Sequence, residues 1–220
     1  MRNSAIRDDD RDYWRREAQN LLSLFENRVR IPLADGLLNH LSVFALAPQP
    51  LLMLLGALLI DIAPADVYQR RREPPTWRWG EGEQAFDLIV READHATGSP
   101  ALVVSLSATI NAERIHAIDP NLAIWEITID RPHNDVLQTA SQLRTFRQTV
   151  RGLLDRIKAS HGEHSLLSVF PAMPVACAVE LGRVRLPKAD LRWRIYDQLP
   201  GAGFVPAFDL PVLTPNEGAD

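Results

Sequence analysis

Arg70, Arg71 and Arg72 stand side by side after a short apolar run, and Trp77 and Trp79 follow a few residues later. Guanidinium groups present planar, forked donors that match phosphate oxygens. Indole rings at alternate positions of an extended chain point to opposite faces, so one belongs to the core and the other can stack on a base. Taken alone, the arginines read as a solvated charged turn balanced by Glu73. Lys188 and Lys158 are the only lysines among 24 basic residues. Lys188 suits a phosphate as a point charge, or a surface pair with Asp190. Ser105, Ser107 and Thr109 alternate along one face of an expected strand. Their hydroxyls could serve a ribose or phosphate, or form the polar face of a half-covered strand.

Other reactive residue types lead nowhere. His161 and His164 have no carboxylate at ligand spacing, so no metal is expected. Cys177 sits in an apolar run and reads as a small core residue. Glu180 either faces a ligand or pairs with Arg183, and the ion pair is the favoured reading. The chain contains no G-x-S-x-G elbow, no P-loop and no H-E-x-x-H helix. No catalytic residue and no cofactor are assigned.

Composition narrows the class further. The 220 residues carry 24 Lys+Arg against 28 Asp+Glu, a net charge of −4. That balance argues against a sheath for long nucleic acid, which needs surplus cations to displace counterions. A single cysteine excludes a disulfide framework. With no leader-like segment at Met1, a cytoplasmic location is expected. Leu41 to Ile60 is uncharged and long enough to raise the question of a membrane span. Pro48 and Pro50 interrupt it, so strand, turn and buried helix is the better reading and no membrane partner is expected.

Around these residues the patterning alternates strands and helices. Residues 1–12 are polar and acidic and read as a frayed or junction segment, 13–212 as one α/β unit, and 213–220 as a polar tail. A first helix runs from Asp12, its expected cap, to Arg30, with Pro32 ending it. His40–Ala45 is a strand, followed by a helix to about Ile62 that Pro64 stops. Val67–Gln69 is a strand, and Trp77–Trp79 opens a hairpin at Gly80–Gly82. Phe86–Glu92, Ala101–Ile110 and Leu122–Asp130 are further strands. Ser141 is expected to cap a long amphipathic helix that ends at His161-Gly162. Ser165–Phe170, Arg192–Asp197 and Phe204–Leu210 are strands, with a helix from Pro174 to about Arg185.

Within this order lies a repeat. Leu41-Ser42-Val43-Phe44 recurs unchanged as Leu167-Ser168-Val169-Phe170. A proline follows each Phe after four residues (Pro48, Pro174), and a glycine follows each proline after eight (Gly56, Gly182). Val67-Tyr68 is echoed by Ile195-Tyr196. The matched offsets favour a duplication with pseudo-twofold symmetry over two merely similar units. In open α/β sheets ligands bind beyond the strand carboxyl ends, where helix N-termini present free N–H groups. Two such ends facing each other would form one pocket with two matching anion-binding corners. The turns Ala45–Pro50 and Pro171–Pro174 contain no glycine, unlike a dinucleotide fingerprint, and leave room for bases or sugars.

The segment His40 to Leu51 resembles the first signature of the SAVED domain. Tyr68 to Arg72 with Trp77, and Ser105 to Ile110, resemble its middle signatures. Phe170 to Pro174, Gly182-Arg183-Val184, Leu186-Pro187-Lys188 and Arg194 to Asp197 resemble its last. Ala108 stands where glycine is expected. The resemblance implies an α/β fold of two pseudo-symmetric Rossmann-like (CARF-like) halves fused into one sensor unit. It implies a cyclic oligonucleotide ligand, of the cyclic tri- or tetra-adenylate type, made during phage infection in CBASS or type III CRISPR systems. Binding would drive homo-oligomerisation and switch on a nuclease, TIR or protease effector. No effector is expected within these residues, so it would lie in trans or in a missing part of a longer chain. Expected ligand-binding residues are Ala47, Pro48, Gln49, Arg70, Arg71, Trp77, Trp79, Ser107, Thr109, Phe170, Pro171, Ala172, Met173 and Lys188. The alternatives are a ring nuclease-like enzyme acting on the same ligand, or a Rossmann-like scaffold that binds only protein.

Overall fold

The computed structural model describes residues 12–60, 65–94 and 97–212. The acidic start, the Pro64 helix stop and the polar tail fall outside the described residues. Fifteen elements follow in chain order. Helix α1 (Tyr13–Phe25) buries Trp14, Ala18, Leu21 and Phe25 along one face. A π-helical stretch, Glu26–Arg30, carries the chain into α2 (Ile31–Ala34). Pro32 therefore does not end the helix. It falls in the first turn of α2, directly after the π-helical stretch, and the chain stays helical through it. Asp12 makes no cap hydrogen bond; its carboxylate pairs with Arg15 at 3.0 Å and Arg16 at 3.7 Å.

Next come β1 (Leu41–Val43), α3 (Gln49–Leu58) and β2 (Ala65–Val67), with β1 and β2 forming a two-stranded parallel sheet. The remaining strands are β3 (Ile89–Arg91), β4 (Pro100–Ser105), β5 (Ala123–Thr128), β6 (Leu166–Ala172), β7 (Arg192–Leu199) and β8 (Gly203–Leu210). They form a six-stranded sheet in the order β3-β5-β4-β6-β7-β8. The inner four are parallel; β3 and β8 flank them antiparallel. Parallel neighbours need crossovers, supplied by α4 (Ala112–His116), α5 (Ala140–His161) and α6 (Val175–Val184). Every residue of β4 is buried, as a strand covered on both faces requires. One core lies with α1, α3, α5 and α6. A second, smaller core under α4 gathers Val103, Ile115, Phe170, Tyr196 and Phe204.

Several boundaries differ from expectation for identifiable reasons. Helix α5 is capped by Thr139 rather than Ser141, in a reciprocal capping box with Gln142. Strand β4 stops at Ser105, because Leu106 and Ser107 both turn their N–H groups onto the Ala172 carbonyl. Ser105 is fully buried and its Oγ accepts from the Ile110 N–H at 3.3 Å, so Ser105, Ser107 and Thr109 do not share one strand face. The Trp77–Gly82 hairpin does not form. An isolated bridge joins Arg71 to Thr76, and the Gly80 N–H donates instead to the Gln138 carbonyl. Helix α4, five residues long, is too short for periodicity to reveal.

The repeated strand–helix–strand units meet through α3 and α6, and they meet at the repeated glycines. A Cβ on Gly56 would collide with the Val179 carbonyl oxygen and come within 2.9 Å of the Arg183 nitrogen. A Cβ on Gly182 would collide with the Met53 carbonyl oxygen and come within 3.0 Å of the Ala57 nitrogen. Val179 and Arg183 are displaced from Met53 and Ala57 by the spacing that separates Leu167 from Leu41, so the two close approaches use matching positions of the repeat. The strands agree: Val43 pairs with Val67 as Val169 pairs with Ile195.

Gly182→Ala is therefore expected to lower stability by at least about 3 kcal/mol or prevent folding, because backbone must move to admit the methyl group. Gly152→Ala, in α5 with nothing nearer than Arg156 at 3.9 Å, is expected to gain up to about 1 kcal/mol. Thermal and denaturant melts of both variants check the pair, and equal effects would remove the crossing from its structural role.

Candidate functional site

The strand order reverses between β4 and β6: the crossover through α4 leads one way and that through α6 the other. Such a switch point leaves a crevice beyond the carboxyl ends of the two strands. Here that position is bounded by the loop after β4, with Ser107 half-buried, and by the turn from Ala172 to Pro174; Thr109, exposed, lies instead in a recess of about 240 Å3 with Ile124, Glu126 and the start of α4. The Ser107 N–H donates to the Ala172 carbonyl at 2.7 Å, which ties the two edges together.

The first repeat reaches into the same crevice through two glutamines. Gln49, at the start of α3, donates from Nε2 to the Met173 carbonyl at 2.9 Å and leaves Oε1 as a buried acceptor with no hydrogen-bond partner. Gln69, just past β2 and itself buried, accepts from the Ala176 N–H at 3.1 Å through Oε1 and donates through Nε2 to the Arg70 carbonyl. The first repeat is thus bonded to the second at two points, and Gln49 joins the Ala45–Pro50 turn to the Ala172–Pro174 turn.

Part of the donor set at these two helix ends is missing or already used. Pro48 and Pro50 have no N–H to offer, and Leu51 and Leu52 both spend theirs on the Pro48 carbonyl. At α6 the Ala176 N–H is taken by Gln69. Arg70 is half-buried beside the Gln69 cap. Arg71 packs back toward Gly80, with Nε buried and without a hydrogen-bond partner, and Arg72 is exposed.

The two tryptophans divide as alternation requires. Trp79 packs against the main core, whereas Trp77 meets the ring of Phe44 edge-on at 5.3 Å. Phe44 in turn stacks on Tyr68 at 4.6 Å. Gln69, Phe44 and Tyr68 were not among the expected site residues, although the repeated Phe and the echoed Tyr marked two of them.

Other expected residues serve the structure instead. Phe170 is fully buried between Tyr196 and Phe204, and Pro171 and Met173 are buried too, so their side chains shape the turn from below. Glu180, almost fully buried, pairs with Arg147 at 3.0 Å and with Arg183 at 3.3 Å. Arg183 also donates to the Ala65 carbonyl of β2 at 2.8 Å, a second tie between the repeats. These arginines, with Tyr68 and Trp79, line a recess of about 320 Å3. A separate recess of about 850 Å3 lies beside β3 and β5, away from the junction.

A family model described as "SMODS-associated and fused to various effectors sensor domain" (SAVED) matches residues 21–210. The chain belongs to the SAVED family. No curated protein matches it. Among solved structures, the SAVED/CARF-domain containing receptor Cap4 of Acinetobacter baumannii is similar in two forms. The form with the cyclic trinucleotide 2′3′3′-cAAA shows a TM-score of 0.56 and 14% identity over 91% of this chain and 43% of that one. The form with 3′3′3′-cAAA shows 0.59 and 14%, over 90% and 45%. Cap4 of Moraxella osloensis shows 0.57 and 13%, over 90% and 42%. This SAVED chain thus spans less than half the length of those receptors. Among its described residues no helix is long and apolar enough to cross a membrane.

Two more residues singled out in the sequence are Lys188 and Cys177. Lys188 is exposed in the turn before β7. The ten residues of α6 separate that turn from Pro174, about 15 Å of helix. Asp190 is not its partner, since Arg151 grips that carboxylate with two bonds of 2.6 Å. That fork raises the Arg151 pKa, chiefly through the Asp190 hydrogen bond. Cys177, one residue past the Gln69 cap, is fully buried, and burial pushes its thiol pKa well up, with Glu180 adding to the effect.

A low thiolate fraction and no exposure make Cys177 inert in the folded SAVED domain. Gln69→Ala is expected to orphan the Ala176 N–H at a cost of about 1–3 kcal/mol and to speed Cys177 labelling by a thiol reagent under native conditions. Labelling as slow as in the unaltered protein would show that Gln69 does not hold the start of α6.

Proposed function

We propose that this SAVED chain is the ligand-binding part of a cyclic-oligonucleotide sensor. The observation that carries the reading is the joining of both repeat turns at the β4/β6 switch point through Gln49 and Gln69. A site built from two related turns presents similar surfaces on both sides of one crevice, which suits a ligand that repeats its own nucleotides. The A. baumannii receptor structures with bound cyclic trinucleotides support a ring of this class, and the proposal takes a cyclic tri- or tetra-adenylate.

In this reading the chain is a fusion of two pseudo-symmetric, CARF-like, Rossmann-like halves, supported by the glycine crossing at matching repeat positions and the matched strand register. Among the described residues the first repeat's strands form the two-stranded sheet, and the second repeat's strands lie in the six-stranded one. Ala47, Pro48, Gln49, Ala172 and Ser107 line the crevice, with Thr109 left outside it beside α4; Arg70 and Arg71 meet phosphates, and Trp77 with its neighbours meets a base. The proposal leaves Lys188 out, and assigns Trp79, Phe170, Pro171 and Met173 to supporting the site from beneath. Binding would favour the assembled form by differential affinity, and head-to-tail association of identical copies is the geometry that can propagate. An effector of nuclease, TIR or protease type, in trans or on a longer chain, would be switched on in the cytoplasm.

Calorimetric titration with a panel of cyclic di-, tri- and tetranucleotides tests the proposal. One ring is expected to bind tightly and to be recovered intact after long incubation. A cleaved ring would favour the nuclease alternative, and no binding by any ring would favour a scaffold. The double variant Arg70→Ala/Arg71→Ala is expected to abolish binding while melting as the wild type does; unchanged affinity would remove the segment from the site. Lys188→Ala is expected to leave Kd and its salt dependence unaltered, and weakened binding at low salt would place Lys188 back in the site.

A further inference from the structure

The repeat contains a second equivalence. Phe44 stacks on Tyr68 with centroids 4.6 Å apart and meets Trp77 at 5.3 Å and 87°. Phe170, its counterpart, stacks on Tyr196 at 4.5 Å and meets Phe204 at 5.1 Å and 79°. Two aromatic triads of one geometry therefore stand at the two repeats. Their surroundings differ. Phe170 is fully buried beneath α4, and the outer ring of its triad, Phe204, carries the flat guanidinium of Arg114 at 4.9 Å. Phe44 is 53% exposed, and no cation lies over Trp77 among the described residues.

We infer that the open triad Phe44–Tyr68–Trp77 is a stacking platform for one nucleobase of the bound ring, and that its buried twin offers none, so the two repeats read the ring unequally. This rests on the sensor reading above. The covered triad indicates what the geometry accepts, a planar delocalised group laid on its outermost ring. A base is such a group, and it brings no charge that Arg70, next along the chain, would repel. The position fits as well. Phe44 leads directly into the Ala45–Gln49 turn, and Tyr68 into Gln69, whose side chain caps α6. A base on the triad would therefore hang from a ring seated over the joined turns.

The ring that binds in the panel titration is remade with a single base replaced by fluorescent 2-aminopurine. Stacking on the triad is expected to quench part of its emission, since the labelled base competes with the others for one platform. Phe44→Ala is expected to raise Kd roughly 5- to 150-fold and abolish the quench, with Phe44→Tyr restoring both. The wild-type thermal midpoint should survive, because the side chain is more than half exposed. Phe204→Ala, in the buried triad, is expected to lower the midpoint and leave Kd unchanged in the folded fraction. Wild-type Kd and quench in Phe44→Ala would overturn the platform while leaving the sensor reading intact. A change in assembly without a change in Kd would overturn it in favour of a protein contact. If no ring binds the wild type, the sensor reading itself fails and the platform with it.

Discussion

The contact of α3 with α6 at Gly56 and Gly182 is the constraint on which the rest of the molecule depends. Backbone meets backbone there, with carbonyl oxygens of Val179 and Met53 occupying the space that side chains would need. Close approach of two helix axes brings their first turns close as well. It is this proximity that lets Gln49 reach Met173 and Gln69 reach Ala176. Van der Waals attraction between two bare helix surfaces is weak atom by atom, but it is summed over a long contact and cannot be reproduced with larger residues. The glycines lose more chain entropy on folding than any other residue would. They persist here because no other residue fits.

Arginine chemistry in this chain is mostly structural. Arg151 forks onto Asp190 and also bonds the Val184 carbonyl, pinning α5 to the end of α6. Arg147 and Arg183 neutralise the buried Glu180. Arg185 is buried over the Trp193 ring, where desolvation lowers its pKa. Arg194 pairs with Asp209 across the β7–β8 ladder, and that bond raises its pKa. A buried ion pair contributes little net stability, yet removing one partner strands the other charge, so Arg147, Arg151 and Arg183 are committed to Glu180 and Asp190. Among the described residues Arg70 and Arg71 have no carboxylate partner, a condition they share with Arg72, Arg78 and Arg144.

Much of the fold was legible because its signals are local. The helix α5 shows its apolar stripe, its terminal glycine and a threonine–glutamine capping pair in plain sequence, and only the cap residue was misplaced, by two positions. The repeat was legible because tetrapeptide, proline and glycine keep their offsets. What was hidden depends on distant partners. Strand β4 ends early because Ala172, far along the chain, draws off two N–H groups. The hairpin after Trp77 is absent because Gln138 takes the Gly80 N–H. Gln69 has no sequence mark that distinguishes a cap for a helix more than a hundred residues away. The site was legible in its turns, but not in its donors, since proline at two positions looks like helix initiation and acts as donor removal.

The glycine crossing also has a mechanical meaning. Two helices cushioned by side chains can slide past each other by a fraction of a turn as rotamers adjust. Two helices with no cushion cannot, since any translation drives a carbonyl into the opposing backbone. Rotation about the line joining the two contact points disturbs the fit least, which makes the crossing a bearing rather than a slide. The bonds from Gln49 to the Met173 carbonyl and from the Ala176 N–H to Gln69 tie that bearing at the helix starts, so the crossing sets the axial register of the two repeats.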